Sequence, residues 1–180
     1  MTEDAFRDFF AAYFQHVWYF AVRRTRAPAD ADDVTSETFA VAWRRRADIP
    51  RDGGDRLWLF GVARNVLANS RRRADRQDRL RDRMAAMNEP TPPMEYETED
   101  PAVWQALAAL TEEHRDLLLM RFWNGLEVAD IATVLGIRAS LVSSRLHKAK
   151  ERFRGELRRR DRGAAGEVID DFPTERSTRP

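Results

Sequence analysis

At 180 residues, with 43% hydrophobic and 34% charged side chains, the chain is long enough for one domain or two small ones and too apolar for global disorder. It holds no cysteine, which excludes disulfides, cysteine-ligated zinc and a thiol nucleophile and is compatible with a reducing cytoplasm. The formal net charge of +1 hides an uneven distribution, with arginine dominating residues 44 to 83 and 138 to 162 and acids gathering at 95 to 100 and 167 to 175.

Two basic blocks separated by an acidic stretch suggest two sites for a polyanion. The start, MTEDAFRDFF, lacks the basic-then-apolar build of a signal peptide. No apolar run approaches the ~20 residues of a membrane span. A soluble, cytoplasmic chain with no membrane insertion is expected.

Residues 3 to 26 carry Phe6, Phe10, Tyr13, Phe14, Val17 and Ala21 at three- and four-residue steps, which predicts a helix with a thick aromatic core face. His16 beside it reads as a helix-surface residue. In DADDVTSETFAVAWRRR, Asp30 is a candidate N-cap, and Asp32 and Asp33 favour the helix dipole. Helical spacing puts Val34, Thr38, Phe39, Val41, Ala42 and Trp43 on one face and Asp33, Ser36, Glu37, Ala40 and Arg44 on the other. Pro50, Gly53 and Gly54 then break the helix.

RLWLFGVARNVLANSRRRADR, residues 56 to 76, turns from apolar to basic without a break. Leu59, Val62, Ala63, Val66 and Leu67 form its core face, and Trp58 reads as core. Gly61, Arg64, Asn65, Ala68, Arg71 and Arg72 form the opposite stripe, where small residues allow a partner's backbone to come close. Residues 76 to 100 lose core periodicity, and three prolines between Asn88 and Pro93 stop the helix. That segment reads as an interdomain linker.

Helical periodicity returns over 101 to 160. Thr111 with Glu112 and Glu113 marks a helix start, and Asn124-Gly125 a stop. In EVADIATVLGIRASLVSSRLHKAKERF, the spacing of Ala132, Gly136 and Val142 is that of a helix-turn-helix. Ala132 sits where the second helix crosses, Gly136 supplies a left-handed turn, and Val142 plugs the core between the helices. Ile131, Leu135 and Ile137 complete the inner face, and Leu146, Ala149 and Phe153 extend it. Ser140 is a natural N-cap. Ser143, Ser144, Arg145, His147 and Lys148 point outward, where cations can reach guanine edges or phosphates in a major groove. Beyond about residue 161 no periodicity remains, and a disordered tail is expected.

No catalytic constellation is visible. His16, His114 and His147 are scattered without metal-ligand spacing. Neither a phosphate loop nor a serine elbow appears. No cofactor, no metal and no enzymatic activity are expected.

DADDVTSETFAVAWRR, WLFGVARNVLANSRRR and LTEEHRDLLLMRFWNGLEVADIATVLGIRASLVSSRLHKAKERF resemble, in order and register, bacterial sigma factors of the extracytoplasmic-function (ECF) group. The resemblance spans roughly residues 6 to 157. It implies an all-α protein of two small helical domains joined by a flexible linker, the second domain a helix-turn-helix. Residues 1–83 would be sigma domain two, 84–100 the linker, 101–160 sigma domain four, and 161–180 the tail.

The implied partners are the clamp of the RNA polymerase core, promoter DNA and, as is common in the family, an anti-sigma factor. The implied core-binding residues are Asp33, Ser36, Glu37, Ala40 and Arg44. The −10 element falls to Arg64, Asn65, Asn69, Arg71 and Arg72, and the −35 element to Arg138, Ser140, Ser143, Ser144, Arg145 and Lys148. The loop Ala47–Asp55 corresponds to the one that receives a base flipped from the non-template strand.

There are departures. Ser36 stands where the family commonly has glutamine, and Asn69 where it often has aspartate. Ser140-Leu141-Val142-Ser143 replaces a frequent Gly-Thr-Val-Lys. A stand-alone helix-turn-helix regulator is the alternative reading, although the first half carries its own arginine stripe and no sign of a ligand pocket.

Overall fold

The computed structural model describes residues 1–25, 27–82 and 100–161. Among the described residues there are seven α-helices and no strand, as the sequence leads one to expect of an all-α chain. The chain divides into two compact units, taken here in turn. The linker and the tail expected from the sequence lie outside the described residues, except that Asp100 caps a helix and Asp161 ends one.

The first unit is built from α1 (Glu3–Val22), α2 (Pro28–Arg44) and α3 (Asp55–Asp82). Thr2 starts α1, its hydroxyl oxygen accepting from the Ala5 N–H at 3.3 Å, with Glu3 and Asp4 in the first turn. The buried stripe of α1 is Phe9, Val17, Phe20, Ala21 and Val22. It is rotated from the expected one, because α1 packs against both α2 and α3 and must turn its midline between them. Phe6 and Tyr13 are half-buried. Phe10 and Phe14 pack on Phe39 at ring distances of 4.6 and 6.4 Å but keep their outer edges in solvent. His16 is exposed, as expected.

Helix α2 starts earlier than Asp30. Ala27 is its extended N-cap residue and Pro28 opens the first turn, where a missing N–H costs nothing and the fixed φ suits a helix. Asp30 lies inside that turn. The core face is Ala31, Val34, Thr35, Thr38, Phe39 and Ala42. Thr35 and Thr38 are fully buried, and their hydroxyls donate back to the Ala31 and Val34 carbonyls at 2.7 and 2.6 Å. Burial therefore leaves neither hydroxyl unsatisfied. Val41 is half-buried. Trp43, expected in the core, is 37% exposed: it meets Phe6 edge-on at 4.9 Å and carries the Arg46 guanidinium 4.5 Å above its ring.

Helix α3 buries Leu59, Phe60, Val62, Ala63 and Leu67. Val66 and Trp58, both expected in the core, are half-buried, and Trp58 lies under the Arg45 guanidinium at 5.6 Å. Phe60 takes the central place because it stacks on Phe20, with centroids 4.9 Å apart and planes 16° from parallel. Trp18 Nε1 donates to Asp32 at 2.8 Å, tying α1 to the start of α2.

The second unit is built from α4 (Pro101–Ala108), α5 (Glu112–Leu118), α6 (Val128–Leu135) and α7 (Ala139–Asp161). Asp100 caps α4, accepting from the Ala102 N–H at 2.8 Å, and Thr111 caps α5 as its sequence predicts. A π-helical turn, Leu119–Trp123, extends α5 before Gly125 breaks the chain at φ +64°. At the start of α6, Asp130 reaches back to accept from the Glu127 N–H at 3.0 Å, one arm of a capping box.

The predicted turn is present between α6 and α7. Gly136 has φ +65°, with its N–H bonded to the Thr133 carbonyl and that of Ile137 to the Ala132 carbonyl, at 3.2 and 3.1 Å. Those two bonds make a Schellman motif with glycine in the left-handed position. Ile131 and Val142 are fully buried, and Leu146, Ala149 and Phe153 continue the seam. Leu135 and Ile137, expected inside, are half-buried. Ser140 is not the N-cap: α7 begins at Ala139, and Leu141 and Val142 donate to the Arg138 carbonyl at 3.0 and 3.2 Å. Gly136→Val forces a β-branched side chain into left-handed backbone and is expected to cost about 1–3 kcal/mol. Thermal unfolding of the full chain checks this; an unshifted transition contradicts it.

Candidate nucleic-acid interface

At about 100° per residue, Ser140, Ser144, His147 and Lys148 share one outward stripe of α7, with Ser143 on one margin and Arg145 on the other. Arg138, Ser140, Ser143, Ser144 and Lys148 are exposed and Arg145 is half-buried. The structure therefore places Ser140, Ser143, Ser144, Arg145 and Lys148 on one side of α7, with Arg138 exposed just before its first residue. Arg145 is already engaged, its Nη1 donating to the Glu113 carboxylate from α5. His147 lies 3.4 Å from Glu151 along the same helix. The sequence marks Glu113 only as part of a helix start, whereas its partner stands 32 residues on, beyond any local pattern.

On α3 the expected residues separate into two groups. Asn65, Asn69 and Arg72 are exposed and Arg64 is half-buried. Arg72 Nη2 donates to Asn69 Oδ1, so the amide N–H donors of Asn69 are those left for a partner. Arg71 lies at the core margin instead, and its Nη2 donates to the Arg24 carbonyl at 3.0 Å, just beyond the end of α1. A cation at the C-terminal end of a helix is well placed to satisfy an orphan carbonyl. Arg71 thus has a structural task that its place in the basic run did not reveal.

The loop between α2 and α3 is pinned at both ends. Ile49 is buried, and Asp55 accepts from the Tyr13 hydroxyl at 2.9 Å. Burial first, and then this bond to a carboxylate, raises the Tyr13 pKa, which keeps the phenol protonated and donating. Between the pins, Arg51, Asp52 and Gly53 are exposed, and Gly53 adopts φ +86°.

The outward strip of α2 presents Asp33, Ser36, Glu37 and Arg44 to solvent, with Ala40 half-buried. Glu37 pairs with Arg44 two turns on, at 3.0 Å. Asp33 and Ser36 leave that end of the strip acidic and polar, which suits a basic protein surface better than DNA. Among the described residues no group of three or more His, Asp or Glu is placed to hold a metal ion, and no helix is long and apolar enough to cross a membrane.

Two family models match the two units. The sigma-70 region 2 model matches residues 9–77 and the sigma-70 region 4 model residues 101–153. The ECF RNA polymerase sigma factor SigL of Mycobacterium tuberculosis is 36% identical over 160 residues, covering 80% of this chain and 85% of SigL. The RNA polymerase sigma factor YlaC of Bacillus subtilis is 24% identical over 155 residues, covering 82% of this chain and 88% of YlaC. The fold matches that of the sigma factor RpoE in its complex with the anti-sigma factor NepR from Bartonella quintana. There the TM-score is 0.70 at 21% identity, covering 86% of this chain and 97% of the other.

Proposed function

The chain belongs to the ECF group of RNA polymerase sigma factors, which direct the polymerase to promoters, and from that premise we propose how its two units divide the work. The first unit, residues 1–83, binds the polymerase clamp through Asp33, Ser36, Glu37, Ala40 and Arg44 of α2. Its α3 reads the −10 element with Arg64, Asn65 and Asn69, with Arg72 holding the Asn69 amide. Arg71 braces α3 against the end of α1 and serves DNA indirectly. The second unit, residues 101–160, lays α7 in the major groove of the −35 element. Residues 84–100 link the two and 161–180 form a tail.

One observation carries this division: two outward-facing polar and basic stripes, on α3 and α7, stand on separate compact units. Exposed arginines supply the sequence-independent attraction to phosphates, while asparagine and arginine forks supply base contacts. The loop pinned at Ile49 and Asp55 receives a flipped base; taking a base out of the stack costs a few kcal/mol, which loop and phosphate contacts offset without ATP. The protein performs no chemistry itself and works in the cytoplasm beside the polymerase. RpoE is solved with the anti-sigma factor NepR, and a comparable partner is proposed here.

The absence of cysteine gives a direct test. Asn65→Cys and Ser144→Cys, each carrying a thiol-specific cross-linker, are assembled with core polymerase on promoter DNA. Position 65 is expected to link to the −10 region and position 144 to the −35 region. Both linking to one element, or neither to DNA, contradicts the division.

A further inference from the structure

We propose that Glu113 is a positioning residue for −35 recognition, its carboxylate aiming the Arg145 guanidinium so that the uncommitted side of the fork meets one base pair. This rests on the reading of α7 as the −35 helix.

Glu113 sits in the first turn of α5, held in place by the Thr111 cap and by the burial of Leu117 and Leu118. Arg145 sits on α7 between the buried Val142 and Leu146. Each backbone is therefore anchored by core contacts, and the ion pair crosses between two packed helices. A guanidinium has five N–H donors. One contact through Nη1 tethers the group on the Glu113 side and leaves enough donors for a bidentate contact with guanine O6 and N7. Holding the side chain before DNA arrives also removes part of the ordering cost of recognition.

The neighbouring cations differ. Arg138 and Lys148 are exposed and have no ion pair among the described residues. Untethered charges of that kind follow phosphates and carry little sequence information. An oriented arginine fork carries geometric specificity. The pair also neutralises Glu113, a carboxylate that would otherwise face the phosphates uncompensated.

The test uses the full chain with core polymerase, transcribing a promoter library randomised across the −35 region. Wild type, Arg145→Ala, Glu113→Ala and Glu113→Gln are compared by sequencing the transcripts. Arg145→Ala is expected to lose about ten- to a hundredfold discrimination at one base pair. Glu113→Ala is expected to lose most of it at the same base pair, with thermal unfolding near wild type; Glu113→Gln, which keeps an acceptor oxygen, falls between. A role confined to stability would lower all sequences alike and shift the unfolding transition.

If Glu113→Ala keeps the preference that Arg145→Ala abolishes, the positioning role is overturned and base reading by Arg145 stands. If Arg145→Ala changes no preference, or weakens every sequence equally, Arg145 is not the reader and the inference falls with that reading.

Discussion

Phe20→Ala is expected to destabilise the first unit by about 3–5 kcal/mol. The ring is fully buried, so truncation both loses transfer free energy and leaves a cavity. It stacks on Phe60 at 4.9 Å, and the Arg24 guanidinium lies 3.8 Å over its face while donating to the Phe20 carbonyl at 2.8 Å. Desolvated cation–π contacts are worth about 2 kcal/mol, so the loss extends beyond the ring's own area. Arg24 also lends its carbonyl to Arg71, which couples the site to α3. Urea unfolding followed by far-UV circular dichroism should show the first unit melting early. Phe20→Leu should cost much less, and an unchanged midpoint for Phe20→Ala contradicts the packing.

Glu37→Arg is expected to weaken binding to core polymerase strongly, by tenfold or more, with little change in folding. Glu37 is exposed, and its pair with Arg44 is solvent-screened, with side chains 53% and 62% accessible. Such pairs contribute about 0–1 kcal/mol to stability. At an interface the same reversal acts differently, because like charges brought together cost several kcal/mol. It also places a cation beside Arg44 on the strip proposed to meet a basic surface. Competition against a labelled wild-type chain for core polymerase measures the effect. Unaltered affinity removes Glu37 from the contact surface.

Much of this was legible in the sequence because it is local. The Ala132, Gly136 and Val142 spacing encodes steric demands within one short motif, and the Schellman bonds around Gly136 meet them. The outward strip of α2 and the exposed Asn65, Asn69 and Arg72 of α3 follow from helical period alone. What stayed hidden depends on tertiary partners. The rotation of α1 toward Phe9 and Phe20 is set by packing against two helices at once. The π-helical turn at Leu119–Trp123 has no periodicity signal. The Arg71–Arg24 contact, across 47 residues, and the Arg145–Glu113 pair, across 32, engage basic side chains in a way that charge runs do not encode. Trp43 and Trp58 looked like core by hydrophobicity, yet each is half open beneath an arginine.

The central claim, that this chain confers promoter selection on RNA polymerase, is tested most directly by run-off transcription over a genomic fragment library. Core polymerase is assayed with and without the purified chain. Discrete transcripts starting at a small set of sites, present when the chain is added and absent without it, are the predicted result. Tight promoter binding by the chain alone, with no initiation directed by core enzyme, would contradict the account and favour a stand-alone regulator.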